Sequence, residues 1–213
     1  AYKGTDIMLA AARRLASRYQ PLFPDKTTFI PFPIKPKPDV GIIKDKLPGD
    51  KIRLFIGVNR ERAAYKGTDI MLAAARRLAS RYPERVELRV AENVPFKEYV
   101  EMMNGSDAIL DQLYSYTPSM NPLEAMSRGI ICVGGGEPEN YDILGDNDLR
   151  PIINVEPTRE SVYNALEWMA THLDEMPRLQ AESIAYTERY HHYVKVAQQY
   201  LDFYQSSSGA TPK

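Results

Sequence analysis

The 213-residue chain is long enough to bury a full core but short for two domains, so one domain with an appendage is expected. Its 27 lysines and arginines balance 28 acids without any block of like charge, which excludes an electrostatic footprint for nucleic acid or an anionic membrane, so any anion site must be local. Cys132 is the only cysteine, which excludes an intrachain disulfide, and no apolar run approaches the length needed to span a bilayer.

In chain order, the first feature is an exact duplication: residues 1–19, AYKGTDIMLAAARRLASRY, recur unchanged at 64–82. An old repeat would have diverged, and solenoid units need at least three stacked copies, so recent duplication or a cloning product is the simpler origin. Only the second copy has a strand before it, KIRLFIGV. The first copy is expected to be a spare amphipathic helix, docked on the surface or competing for the place of the second. Residues 20–50 include FIPFPIKPKPD, whose fixed φ angles and missing amide donors suit an extended linker between domains.

From residue 51 strands and helices alternate. Residues 51–58 read as a central strand. Residues 68–82 place Met71, Ala75, Leu78 and Tyr82 on one helical face, with Thr68 as N-cap. A strand at 86–91, a short helix at 95–103 and a strand within 107–113 follow. A helix over 123–127 ends at Gly129, and two further strands lie at 130–133 and 151–155. Cys132, inside GIICV, reads as a buried small hydrophobe. Val162, Leu166 and Met169 mark the face of one closing helix, and a second, rich in aromatics, is expected from about 176 to 204. The last residues, 206–213, read as a flexible tail. This alternation predicts an α/β fold, a Rossmann-like parallel sheet with helices on both faces. Such sheets bind ligands beyond the carboxyl ends of their strands, which singles out three turns, at 59–67, 114–121 and 134–140.

The first turn, NRERAAYKG, carries Arg60, Arg62 and Lys66 just before a helix, where free amides and the helix dipole favour an anion; its plainer reading is a solvated basic loop. Neither GxxxxGK[ST] nor GxGxxG occurs, which removes the usual arguments for a P-loop NTPase or a Rossmann dehydrogenase. In the second turn Asn121, Pro122 and Glu124 have the spacing of a capping box, with Asn121 as N-cap. Glu124 then either starts the helix or accepts hydrogen bonds from ribose hydroxyls while amides of Ser119, Met120 and Asn121 hold a phosphate. The third turn, GGGEPEN, lets the backbone turn sharply or approach a ligand. His191 and His192 are adjacent on a helix and point to different faces, so they form no metal pair.

These three turns, in this order, resemble the C-terminal donor-binding domain of GT-B glycosyltransferases, especially the retaining group called family 4, over residues 51 to about 173. Gly57, Arg60 and Lys66-Gly67 fill the family's places around its first turn, and LEAMSRG at 123–129 matches its second glutamate, Glu124, and the glycine that follows. Eight positions earlier the family has a first glutamate. Here Tyr116 stands in its place, so no catalytic residue is assigned. FIGVNR and Asp111-Gln112-Leu113 echo segments of members that make polysaccharides.

The resemblance implies that 51–205 is a nucleotide-sugar-binding domain of a cytoplasmic, bacterial hexosyltransferase that makes cell-surface or capsular polysaccharide. It implies donor binding by Arg60, Lys66, Ser119, Met120, Asn121 and Glu124, with no cofactor beyond the donor and no metal. It further implies that 20–50 is the remnant of a linker to a missing N-terminal acceptor domain, that the full-length protein associates peripherally with a membrane, and that this fragment alone is inactive. A noncatalytic nucleotide-binding or scaffold module and a GT-B-type sugar-nucleotide epimerase remain open.

Overall fold

The computed structural model describes residues 8–10, 18–37, 47, 49–115, 117–145 and 148–208. Its centre is a five-stranded parallel sheet made of β3 (Ile52–Val58), β4 (Val86–Glu92), β5 (Ala108–Leu110), β6 (Ile131–Gly134) and β7 (Ile153–Asn154), in the order β4-β3-β5-β6-β7. The order therefore reverses between β3 and β5, where the chain first crosses to the other side of β3. Residues of β3 alternate between the two faces because successive side chains of a strand point opposite ways. Ile52, Leu54 and Ile56 join one buried cluster and Phe55 the other. Both faces are apolar because both are covered.

On the first face lie α1 (Thr68–Arg81) and α5 (Arg159–Thr171), which present Met71, Ala75, Leu78, Val162, Leu166 and Met169 to the sheet. The 3.6-residue spacing of these apolar positions accounts for that docking. On the second face α2 (Phe96–Asn104), α3 (Met120–Met126), α4 (Pro138–Asp142) and α6 (Met176–Tyr186) supply Met103, Leu123, Met126, Tyr141 and Tyr186. Cys132 is buried and free, as its apolar context implied. Among the described residues no helix is long and apolar enough to cross a membrane.

The duplicated sequence behaves differently in its two copies. Met71-Leu72-Ala73 is helical within α1, whereas the identical Met8-Leu9-Ala10 forms β1 (Met8–Ala10), paired in parallel with β2 (Thr27–Phe29). A helix through these three residues of copy one is therefore not present. Local propensity is the same for these three residues in both copies, so the difference is tertiary: Met71-Leu72-Ala73 packs in a helix against the main sheet, while Met8-Leu9-Ala10 pairs with β2.

The long closing helix is also interrupted. α6 passes into a π-helical turn, Thr187–His191, and His192 adopts an extended conformation (φ −58°, ψ 123°) before α7 (Tyr193–Ser208). The cause is the proline-rich segment. Ile34 donates its amide to the His191 carbonyl at 2.6 Å and accepts from the Tyr193 amide at 2.9 Å, inserting one bridge of β pairing into the helix. Ile30 and Ile34 are buried, and His191 Nδ1 donates to the Phe32 carbonyl at 2.9 Å. Residues 30–37 are thus a strap fastened to the domain. Of the tail expected at 206–213, residues 206–208 continue α7 and the remainder lies outside the described residues.

Candidate donor site

The strand-order reversal opens a crevice beyond the carboxyl ends of β3, β4 and β5, as expected of an open α/β sheet. It holds a cavity of about 380 Å³ lined by backbone of Gly57 and by Asn59, Lys66, Asn93, Tyr99, Asp111, Gln112 and Asn121, among others. Among the described residues its wall is mostly polar side chains, with one cation, Lys66, and one carboxylate, Asp111.

Close packing fixes this wall. A Cβ on Gly57 would lie 2.8 Å from Tyr99 Cε2 and 2.9 Å from its hydroxyl, so the glycine is what lets the Tyr99 ring lie over the end of β3. The ring packs edge-on against Phe55 with centroids 4.9 Å apart. Its hydroxyl accepts from Asn121 Nδ2 at 2.8 Å, which ties α2 to the start of α3. Burial raises the Tyr99 phenol above its ordinary range, against the Asn121 hydrogen bond and with the help of the Asp111 charge.

Lys66 reaches the cavity from a helical turn rather than from an open loop. Arg60–Arg62 is a 3₁₀ turn capped by Asn59, and Ala63–Lys66 is one turn of α-helix; Gly67 then takes a left-handed conformation (φ 71°) and α1 begins at Thr68. Gly67 is the N-cap and makes no side-chain cap bond, so the expected capping role of Thr68 is corrected: Thr68 is already helical and lines the cavity. The Lys66 carbonyl accepts from the Leu113 amide at 2.8 Å, joining the first turn to the second. β5 itself covers Ala108–Leu110, the three apolar residues inside the expected 107–113.

Asp111 follows β5 directly. Burial pushes its carboxyl up to about 6, even though the backbone amides of Gln112 and Ser119 and the Lys66 ammonium favour the anion. Within the sequence, the only sign of this was the Asp-Gln-Leu echo; a lone aspartate at a strand end carries no signature of depth.

The predicted donor-binding residues separate. Lys66 and Asn121 meet in the cavity. Ser119 and Met120 begin α3 beside it, and the Ser119 amide is turned to Asp111. Arg60 lies on the outer rim, its guanidinium paired with Glu92 at the end of β4, and is not part of the wall. The Arg62 side chain and Tyr116 lie outside the described residues.

Glu124 departs furthest from expectation. The capping box is not formed: Ser119 is the N-cap without a side-chain bond, α3 starts at Met120, and the Asn121 side chain is engaged with Tyr99. Glu124 instead pairs with Arg128 one turn on, and with Lys37 of the strap at 3.1 Å. Burial pushes the Glu124 carboxyl up, but the hydrogen bonds and charges of Arg128 and Lys37 outweigh it and leave it below its ordinary value. The carboxylate faces the strap and does not line the cavity. In the third turn, Gly136 donates its amide to Asn154 at 2.9 Å and Asn140 donates to the Tyr186 hydroxyl at 3.0 Å, so its polar groups serve the fold. Among the described residues no cluster of three histidine, cysteine or carboxylate side chains could hold a metal ion.

No protein-family model matches the sequence, and no curated protein matches it. Solved structures do match the fold. A glycosyltransferase from Rickettsia africae superposes with a TM-score of 0.65 at 12% identity, over 96% of this chain and 64% of that one. Sucrose-phosphate synthase from Thermosynechococcus elongatus gives 0.65 at 15%, over 98% and 60%. The Anabaena protein HepE, crystallised with UDP and glucose, gives 0.65 at 13%, over 95% and 63%. The fold is an α/β, Rossmann-like parallel sheet with helices on both faces, the architecture of one half of a GT-B fold. The chain spans less than two thirds of the length of each of these three proteins. At such identities the likeness concerns architecture alone.

Proposed function

We propose that this chain is the donor-binding half of a glycosyltransferase and holds the diphosphate of a nucleotide sugar in the cavity beside Lys66. The observation that carries this reading is the position of Lys66: the cation of a polar cavity, just before a helix N-terminus, at the strand-order reversal. The architecture shared with HepE, which was crystallised with UDP and glucose, supports it.

In sugar transfer the diphosphate leaves, and its developing charge needs donors already in place rather than covalent chemistry. Lys66 supplies such a charge, and Asn121, held by Tyr99, supplies a polar group whose orientation is fixed. In this reading the donor binds without a metal. We further propose a family 4-like hexosyltransferase of bacterial surface-polysaccharide synthesis, working in the cytoplasm with an N-terminal acceptor domain and a peripheral membrane attachment. In that case the present chain binds donor but transfers no sugar alone. Transfer of labelled sugar by the purified chain would refute that last point.

A calorimetric screen of UDP, GDP, ADP and CMP tests the binding reading: one diphosphate should bind clearly more tightly than CMP. Equal, negligible heats for all four would sink it. A noncatalytic nucleotide-binding module is the second reading, favoured by Tyr116 at the family's first-glutamate place and by Glu124 being taken up by Arg128 and Lys37. An epimerase would need several acids or histidines around the ligand, and Asp111 is the only such side chain among the described residues lining the cavity.

A further inference from the structure

Asp111 poses a specific problem for an anion site. It shares a wall with Lys66 around a cavity of about 380 Å³. A space of that volume is roughly 9 Å across, comparable with the ~8–10 Å screening length of physiological salt, so a carboxylate and a diphosphate inside it repel each other with little relief.

Among the described residues, the groups that face Asp111 are few. Lys66 approaches from the turn before α1, Tyr99 from α2 and Cys132 from β6, while the amides of Gln112 and Ser119 lie on its own loop. Tyr99 and Cys132 are both pushed upward, by burial first and then by the Asp111 charge, so neither is an anion near neutrality. Lys66 is the cation among these described groups, and a bound diphosphate would engage it. The carboxylate would then lose its main counter-charge as a second anion arrives. Protonation resolves both difficulties: a neutral acid no longer repels the ligand and gains a donor that an anionic phosphate oxygen accepts.

We propose that Asp111 couples nucleotide-sugar binding to proton uptake, entering the complex as the neutral acid and donating a hydrogen bond to a diphosphate oxygen beside Lys66. This rests on the donor-site reading above. Its carboxyl, already displaced to about 6 without ligand, needs only a modest further rise to be protonated in a complex at neutral pH. The sign follows from linkage: if the complex holds the proton more tightly than the free protein, affinity is highest at low pH and falls as pH rises through 6 and beyond, by at most about tenfold per unit.

The test is calorimetry of the whole chain with UDP-glucose, GDP-glucose and ADP-glucose between pH 5.5 and 8.5, in pairs of buffers with different ionisation enthalpies. The diphosphate of these probes is esterified at both ends, so it has no phosphate titrating near neutrality. For the sugar nucleotide that binds, we expect uptake of a substantial fraction of one proton near pH 7 and a several-fold loss of affinity from pH 6 to 8. Asp111→Asn should still bind, with no uptake and a flat pH profile. Wild-type binding without proton uptake overturns the inference while leaving the donor site standing, and it does so whether or not the variant folds. Uptake that persists in a folded Asp111→Asn protein overturns it as well. No binding by any of the three removes the donor site and this inference together.

Discussion

Lys37, at the end of the N-terminal strap, contacts Glu124 of α3 at 3.1 Å, so a residue outside the sheet domain engages the glutamate that the family resemblance assigns to the donor. The second partner, Arg128, is only 5% exposed, whereas Lys37 is half-exposed. The two pairs should therefore differ in weight. Lys37→Ala should cost under about 1 kcal/mol, as exposed ion pairs do. Glu124→Ala leaves a buried guanidinium with Asn104 and little else, and should cost about 1–3 kcal/mol. Urea unfolding of the two variants checks the order, and equal losses would contradict it.

Lys66→Ala should weaken binding of the preferred nucleoside diphosphate by about 1.5–3 kcal/mol through loss of a charge-assisted contact. The Lys66 carbonyl, which bonds the Leu113 amide, is backbone and survives the change, so the melting temperature should hardly move. Unchanged affinity in titration calorimetry would remove Lys66 from the site.

Gly57→Ala places a methyl 2.8 Å from the Tyr99 ring. The ring is wedged against Phe55 and bonded to Asn121, so it cannot yield freely. We expect a loss of about 1–3 kcal/mol in stability from overpacking, together with weaker nucleotide binding as Asn121 loses its partner. Thermal melts with and without ligand separate the two effects, and full retention of both would show that the wall is adaptable.

His191 is buried, and that burial holds it down at about 4, although the Phe32 carbonyl favours its charged form. An unfolded histidine takes up its proton near 6.5, so this group's contribution is complete above about 6.5 and is lost as pH falls toward about 4. The slope is at most about 1.4 kcal/mol per pH unit. Asp111 acts in the opposite sense, because its raised carboxyl is most favourable below about 4 and costs stability as pH rises to about 6. In an Asp111→Asn background the unfolding free energy should therefore fall more visibly between pH 6.5 and 4. Adding His191→Gln should flatten the profile between pH 6.5 and about 5, above the range where depressed carboxylates such as Glu124 titrate, and an unchanged slope there would place its origin elsewhere.

The sequence by itself determined the alternation of strands and helices, the two apolar faces of the sheet and the end of it at which the polar cavity lies. It did so because buried parallel strands and amphipathic helices leave periodic apolar patterns that local chemistry enforces: Ile52, Leu54 and Ile56 on one side, and Val162, Leu166 and Met169 on their helix. That Lys66 and Asn121 fall at the same end of the sheet was legible too, since each lies in a segment joining a strand to the helix after it.

Only the tertiary structure decided the rest. Glu124 has capping-box spacing, yet Lys37 and Arg128 claim it, and neither partnership follows from local geometry. Arg60 is cationic in sequence but turned to Glu92 on the neighbouring strand. The closing helix breaks where Ile34, some 160 residues earlier, inserts a strand-like bridge. The duplicated residues make the case most directly: Met8-Leu9-Ala10 and Met71-Leu72-Ala73 share every local preference, yet one is strand and the other helix. Propensities amount to tenths of a kcal/mol per residue, and an available groove or edge outweighs them. Asp111 was unreadable for the same reason, since its chemistry comes from depth and neighbours, which exist only once the chain has folded.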